Sequence, residues 1–226
     1  MIYAIADLHF DFTLQKPMDI FGDNWKGHDT KIIDDWKSKV KDEDLVLLPG
    51  DISWALKLSD AAHDLKVIDS LPGRKIISKG NHDYWWSSLK KMNNLDLKTI
   101  NFLYNNSYEY QDISICGTRG WISKDSCEFT EDDIKIYDRE VNRLKNSLEK
   151  AKNKRIIAVI HYPPFNQDHS ASDFTKILSQ YNVELCLYGH LHGQGHKYHC
   201  EGIIDGVEYK FIASDFLDFK LERIRP

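Results

Sequence analysis

The stretch Leu45-Val46-Leu47-Leu48-Pro49-Gly50-Asp51 decides how the rest of the chain is interpreted. Four consecutive apolar residues are typical of a strand that is covered on both faces, as in a parallel sheet. The Pro-Gly pair ends this strand with a sharp turn and places Asp51 just beyond it. Because ligand sites of such sheets lie at the carboxyl ends of the strands, Asp51 is the first candidate for a functional residue.

Four further apolar runs end in the same way. They are Ile2 to Ala6, Ile76 to Lys79, Ile156 to Ile160 and Leu185 to Tyr188. The polar residues that follow them are Asp7, His9, Asn81, His82, Asp83, His161, His190 and His192. This mixed set of oxygen and nitrogen ligands is too large for one tetrahedral ion, whereas two metal ions that share a carboxylate would use it.

The ordered series Asp7-x-His9, Gly50-Asp51, Gly80-Asn81-His82-Asp83, His161 and Gly189-His190-x-His192 resembles the calcineurin-like metallophosphoesterase superfamily. The resemblance spans nearly the whole chain. One piece alone, such as Gly50-Asp51, is usually only a turn, but five pieces in order at strand ends are specific. The resemblance implies an α/β fold, a four-layer α/β/β/α sandwich of two mixed sheets flanked by helices. It also implies a metal-dependent phosphohydrolase.

The resemblance further implies how the candidate residues are divided between two divalent ions. Asp7, His9 and His192 would hold one ion, Asn81, His161 and His190 the other, and Asp51 would bridge them. Ligands of this kind without a thiolate suit Mn, Fe, Zn or Co. His82 remains outside both sets, so we expect it to donate a proton to the leaving oxygen or to steady the phosphate. Asp83 is expected to orient or charge the His82 ring.

Contacts to the rest of the substrate are predicted from three residues. Arg119 lies between two glycines and could bind phosphate oxygens bidentately, or be an ordinary loop arginine. Trp25, in the long segment Phe10 to Thr30, and Trp121 could stack on a substrate. The alternative, that the aromatic residues of Phe10 to Thr30 only pack onto the domain, is slightly favoured.

Composition predicts a globular protein, since 42% of the 226 residues are hydrophobic and 29% are charged. We expect residues 1–226 to form a single catalytic domain, because the length leaves no room for a separate cap. The net charge of -5 argues against nucleic acid as a partner. Four cysteines without Cys-x-x-Cys spacing are expected to be reduced thiols. Without a signal sequence or a long apolar run, we expect a cytoplasmic protein that does not bind membranes.

Two alternatives to a working phosphohydrolase remain. A catalytically inactive interaction module of the same fold should have lost a ligand or His82, and none is missing. A nuclease would need a basic groove, and its activity would fall steeply with salt. The motifs concern only the phosphate, so substrate identity, monoester or diester preference and oligomeric state stay open.

Local patterns also predict where helices and hairpins lie. Helices are expected over Lys31 to Lys39, Trp54 to Leu71 with Ser59 as N-cap, Tyr84 to Met92, Glu131 to about Lys152, and Ser172 to Gln180. The short β-rich runs from Thr99 to Gly117 predict antiparallel hairpins.

Overall fold

The structure is a computed structural model that describes residues 1–13, 16 and 18–224. Its strands, in chain order, are β1 (Ile2–Ala4), β2 (Leu45–Pro49), β3 (Arg74–Ser78), β4 (Ile100–Phe102), β5 (Tyr108–Tyr110), β6 (Ile113–Thr118), β7 (Arg155–Ile160), β8 (Leu185–Tyr188), β9 (Gly202–Ile204), β10 (Val207–Phe211) and β11 (Glu222–Ile224). Its α-helices are α1 (His28–Lys39), α2 (Leu58–Ser70), α3 (Leu89–Asn93), α4 (Glu131–Leu148) and α5 (Asp173–Gln180). Short 3-10 helices cover Met18–Phe21, Asp23–Trp25 and Gly193–Tyr198.

The strands form two mixed sheets. The first has the order β11-β1-β2-β3-β4, with β1 to β4 parallel and β11 antiparallel at the edge beside β1. The second has the order β5-β6-β7-β8-β10-β9, in which β5 and β9 are antiparallel edge strands. Parallel strands bring their carboxyl ends to one edge, so both sheets present their polar strand ends on the same side of the fold.

Successive side chains of each strand point to opposite faces of the sheet and so pack into different layers of the fold. In β2, Leu45 and Leu47 point towards the second sheet, while Val46 and Leu48 pack against the outer helices. The same division recurs in β7, where Ile157 and Val159 face the first sheet and Ala158 faces outward with the residues beneath α4 and α5. Because successive strand residues point to opposite faces, a continuous apolar strand needs a cover on both sides. The result is the predicted α/β/β/α sandwich.

Three local predictions differ from the structure. The second helix begins at Leu58 with Lys57 as N-cap, so Ser59 is not the cap. Helix α3 begins at Leu89, not at Tyr84, because the preceding residues form the turn after β3 and Ser88 provides the cap. The segment before β5 contains β4, which joins the first sheet parallel to β3, so only β5 and β6 form the expected hairpin.

None of the helices in the described ranges is long and apolar enough to cross a bilayer.

Candidate metal centre

The ends of β1 and β2 are tied together where the first candidate ligands lie. The backbone N–H of Asp7 donates to Gly50 O at 3.0 Å, and that of His9 donates to Asp51 O at 2.9 Å. Asp7, His9, Asp51 and His190 all have positive φ, between 47° and 78°. A positive φ is uncommon for residues with a side chain and costs free energy, so the surrounding structure must hold these four residues in place.

Two glycines make room for the carboxylates. A Cβ at Gly80 would lie 2.1 Å from Asp51 Oδ1, and a Cβ at Gly189 would lie 2.2 Å from Asp7 Oδ2. Both distances are far below van der Waals contact. Glycine is therefore required here so that the backbone can approach the carboxylates closely.

Asp7, His9 and His192 form the first group of converging ligand atoms. His192 Nε2 lies 3.3 Å from His9 Nε2 and 3.6 Å from Asp7 Oδ1. Asp51 Oδ2 lies 3.7 Å from His9 Nε2 and so adjoins the group. Carboxylate oxygens and imidazole nitrogens that converge this closely can serve as ligands of one ion.

Asn81, His161 and His190 form the second group. Asn81 Oδ1 lies 2.7 Å from His161 Nε2 and 2.9 Å from His190 Nδ1. The two imidazole nitrogens are 3.3 Å apart. Asp51 Oδ2 lies 3.4 Å from His161 Nε2, so the same carboxylate oxygen faces both groups. The structure thus brings together all seven residues that the sequence singled out as ligands.

The surroundings of these residues fit divalent metal ions. Asp51 Oδ2 is buried and has no hydrogen-bond partner among the described residues. Burial, and then the charges of Asp83 and Asp7, raise the pKa of Asp51 well above its usual value. An uncompensated buried carboxylate is costly, and a cation at this oxygen would remove that cost.

Three of the four candidate histidine ligands, His9, His161 and His190, are prepared as neutral ligands. Burial and the neighbouring imidazoles lower the pKa of His9 and His190, and burial lowers that of His161 to about 3. His161 Nδ1 lies 3.0 Å from Pro49 O, which fixes the ring and leaves Nε2 directed at the second group. Neutral imidazoles oriented by a second hydrogen bond are typical of metal-binding histidines.

Asp215 is a part of the site that the sequence analysis missed. Its Oδ1 lies 2.8 Å from His192 Nδ1, and its Oδ2 accepts a hydrogen bond from the backbone N–H of Gly193 at 3.0 Å. His196 Nε2 lies 3.0 Å from the same carboxylate. Asp215 follows the apolar residues Phe211 to Ala213 at the end of β10, which is the same kind of signal that identified the other residues, but the sequence analysis did not apply it to this strand.

His82 lies beside the metal-ligand groups without belonging to them. Its ring packs against Trp54 at 4.4 Å between centroids and against His9 at 5.7 Å. His82 Nδ1 is buried without a hydrogen-bond partner in the described part of the chain, and burial lowers the pKa of the ring. Trp54 also stacks on Phe21, which is 62% exposed, so an aromatic surface borders His82.

Asp83 does not have the role that the sequence suggested. Its carboxylate accepts hydrogen bonds from the backbone N–H groups of Asp51, Ile52 and Gly80 and from the indole N–H of Trp85, at 2.7 to 2.9 Å. With these donors it has no capacity left for the His82 ring. The prediction that Asp83 orients His82 is wrong, since the carboxylate instead fixes the loops after β2 and β3 to one another.

The three residues that were predicted to contact the substrate lie in three different environments. Trp25 is 3% exposed and packs edge-on against His9, His192 and Phe219, so its ring has almost no surface for a ligand, and its prediction as a stacking residue is wrong. Trp121 is half-buried, and the Arg119 guanidinium covers its ring at 4.2 Å. Arg119 itself turns towards Glu140.

The long segment from Phe10 to Thr30 is described except for Leu14, Gln15 and Pro17. Within the described part, Phe10, Met18 and Trp25 are buried in the core beneath the site, as the packing alternative expects. Phe21 is exposed beside Trp54, so the segment also contributes to the surface around His82.

Comparison with known proteins agrees with this geometry. The sequence model of the calcineurin-like phosphoesterase family matches residues 1–194, which is most of the chain and includes all seven candidate ligands. The chain belongs to this family, whose members generally bind divalent metals.

The fold is similar to that of a protein of unknown function, AQ665, from Aquifex aeolicus. The crystal structure of that protein superimposes with a TM-score of 0.51 at 22% identity, covering 98% of this chain and 94% of the other. At this identity the likeness concerns the fold alone. No curated protein sequence matches the chain significantly.

Proposed function

We propose that this protein is a phosphohydrolase that holds two divalent metal ions and hydrolyses a phosphate ester. The proposal depends above all on Asp51 Oδ2, which is buried, unpartnered among the described residues, and within 3.7 Å of His9 and 3.4 Å of His161. A carboxylate oxygen that faces two sets of three other ligands supports a bridging role. Asp7, His9 and His192 would hold one ion, and Asn81, His161 and His190 the other.

When bound, two such ions activate a water molecule as nucleophile and offset the negative charge that develops at phosphorus. The chain's own residues prepare the site for this. Burial keeps the imidazoles of His9, His161 and His190 neutral, so their lone pairs are available near pH 7. Asp83 holds the loops that carry Asp51 and Asn81 at a fixed separation.

His82 is assigned to the leaving group. A neutral imidazole still carries one N–H donor, and His82 is adjacent to both ligand groups without serving in either. A negatively charged phosphate beside the ring would favour its protonated form and so offset the effect of burial on its pKa. His82 would then give its proton to the leaving oxygen as the ester bond breaks.

The substrate is assigned only by chemical class. Carboxylate, amide and imidazole ligands suit Mn, Fe, Zn or Co, and the same site would accept a monoester or a diester. The net charge of -5 favours a small phosphate ester over a polynucleotide.

Elemental analysis and a substrate panel test this proposal together. Protein loaded in turn with Mn, Fe, Co or Zn should contain about two ions per chain and hydrolyse at least one phosphomonoester or diester. Asp51→Asn should lower the metal content and abolish the activity. Asp44→Asn is the matched control, because Asp44 is also buried but pairs with the N-terminal amine away from the site. Saturation at one ion, unchanged in Asp51→Asn, would contradict the bridging role.

A further inference from the structure

An exposed aromatic surface lies next to His82, outside the two groups of candidate metal ligands. Trp54 connects this surface to the site, because its ring centroid lies 4.4 Å from that of His82 and 4.8 Å from that of His9. Phe21 stacks on Trp54 at 6.2 Å between centroids, and Tyr84 lies edge-on to His82 at 6.3 Å. Phe21 and Tyr84 are therefore close to the residue that is assigned to the leaving group.

The two outer rings of this surface are open to solvent. Phe21 is 62% exposed and Tyr84 is 61% exposed. Ile20, which precedes Phe21, and Leu56, which lies two residues after Trp54, are large apolar side chains that are exposed as well. Large apolar side chains that gather on a protein surface mark a binding site. The exposed rings beside His82 are thus candidates for contact with the substrate.

Hydrogen bonds hold these rings in place. The indole N–H of Trp54 donates to the sulfur of Met18, which is buried in the core. Met18 and Phe21 belong to the same short 3-10 helix, and the ring planes of Phe21 and Trp54 differ by 5°. The backbone N–H of Tyr84 donates to His82 O at 2.8 Å. Because the rings are already positioned, a ligand would lose little free energy in ordering them.

Two charged residues border this surface, and their charges are opposite. Lys16 Nζ lies 5.3 Å from the ring centroid of Trp54, and Asp19 lies in the same 3-10 helix as Phe21. Both residues are exposed, so water and salt screen their charges. Lys16 covers part of the Trp54 ring, which leaves the rings of Phe21 and Tyr84 open to a ligand. A surface of this kind favours an apolar group over an ion.

We propose that Phe21, Trp54 and Tyr84 bind the leaving group of the substrate, and that this leaving group carries an aromatic ring. The inference rests on the proposed function, because the leaving oxygen has to lie beside His82 to receive its proton. The atoms attached to that oxygen are then next to the exposed rings. Aromatic rings prefer offset-stacked or edge-on contacts with one another, and a short alkyl chain covers much less of such a surface. The substrate class is a phosphate ester of an alcohol that carries an aromatic ring close to the ester oxygen.

Kinetics with benzyl phosphate and ethyl phosphate test this selectivity. Both esters release a primary alcohol and need similar proton donation, so they differ mainly in the ring. The ratio of their kcat/KM values, benzyl over ethyl, should fall about fivefold in Phe21→Ala and in Tyr84→Ala. Tyr84→Phe retains the ring and should retain the ratio. Ile203→Ala is the matched control and should also retain it, because Ile203 is an exposed apolar residue on the edge strand β9.

Direct binding is tested with phenethylphosphonate and propylphosphonate. In these compounds a methylene group replaces the ester oxygen of benzyl and ethyl phosphate, so they cannot be hydrolysed. Calorimetric titration of the metal-loaded protein should show that phenethylphosphonate binds more tightly than propylphosphonate. Phe21→Ala and Tyr84→Ala should each lower the ratio of the two affinities about fivefold, and Ile203→Ala should leave it unchanged.

The outcomes separate this inference from the proposed function. A protein that hydrolyses both esters, with the same kcat/KM ratio and the same ratio of phosphonate affinities in Phe21→Ala and Tyr84→Ala as in wild type, would overturn the aromatic leaving-group site alone. Phosphonate selectivity that depends on Phe21 and Tyr84, in a protein that hydrolyses no phosphate ester, would overturn the proposed function instead and would leave an aromatic binding surface in place.

Discussion

At the level of single residues, His82 offers the sharpest test of the reaction. His82→Ala should retain its metal ions, because His82 is in neither ligand group, while kcat falls by about 10² to 10⁴. The loss should be smaller for an aryl phosphate with a good leaving group, which needs little proton donation. Metal content and kcat for an alkyl and an aryl ester measure both effects, and a variant that loses metal would show that His82 is itself a ligand.

His192 makes metal binding depend on pH. Burial lowers its pKa, but the carboxylates of Asp215 and Asp7 outweigh burial and raise the pKa to about 10 in the metal-free protein. His192 is therefore protonated at pH 7 and must release this proton before Nε2 can bind metal. Metal affinity should rise as pH increases towards 10.

Calorimetry in two buffers of different ionisation enthalpy should detect the proton that His192 releases. The lowered pKa of His9, His161 and His190 means that those rings release none near pH 7. Equal affinity at pH 6.5 and pH 8, without proton release, would contradict this account.

The candidate ligands could be singled out in the sequence because each lies at or just after the end of an apolar run. Asp7, Asp51 and His161 were found by that rule and converge in the structure. The role of Asp83 was mispredicted because adjacency in sequence to His82 says nothing about which donors surround its carboxylate. Asp215 was missed because the same rule was not applied to β10, the strand that precedes it.

At the level of elements, helix α5 depends on its cap and is linked to the site through it. Ser172 Oγ accepts hydrogen bonds from the backbone N–H groups of Phe174 and Thr175, at 3.0 and 3.3 Å, and its hydroxyl donates to Pro164 O in the loop after His161. Ser172→Ala should lower the free energy of unfolding by about 1 to 2 kcal/mol. Urea unfolding measures this loss, and Gln180→Ala at the exposed far end of the helix should change little.

Strands and helices were predicted most accurately where the residues at their ends carry a clear sequence pattern. The positions of strands β2 and β8 were predicted closely, because each strand begins with an apolar run and ends directly before a glycine. The start of α3 was misplaced because Trp85 fits a helical pattern, whereas it is buried by a tertiary contact with Phe102 in β4. Nor could the parallel pairing of β4 with β3 be predicted from its three residues.

At the level of the molecule, the proposed metal centre joins the two sheets. Asp7 and Asp51 follow strands of the first sheet, while His161 and His190 follow strands of the second. Metal at 100 times its dissociation constant should therefore stabilise the fold by about 2.7 kcal/mol, because it binds only the folded chain. Chelation should lower Tm by about 5 to 10 °C. A Tm in Asp51→Asn that responds to the chelator as strongly as wild type would contradict this.

The last strands have a consequence for fragments of the chain. The family match ends at residue 194, yet β10 pairs with β8 and β11 pairs with β1. Ser214 also donates to Asp7 O at 2.7 Å. A polypeptide that stopped at residue 194 would carry every motif residue but would present two unpaired strand edges, which are templates for aggregation. Recombinant fragments designed from motif boundaries should therefore be recovered from inclusion bodies. Chains that extend through residue 224 retain β10 and β11, which pair with β8 and β1.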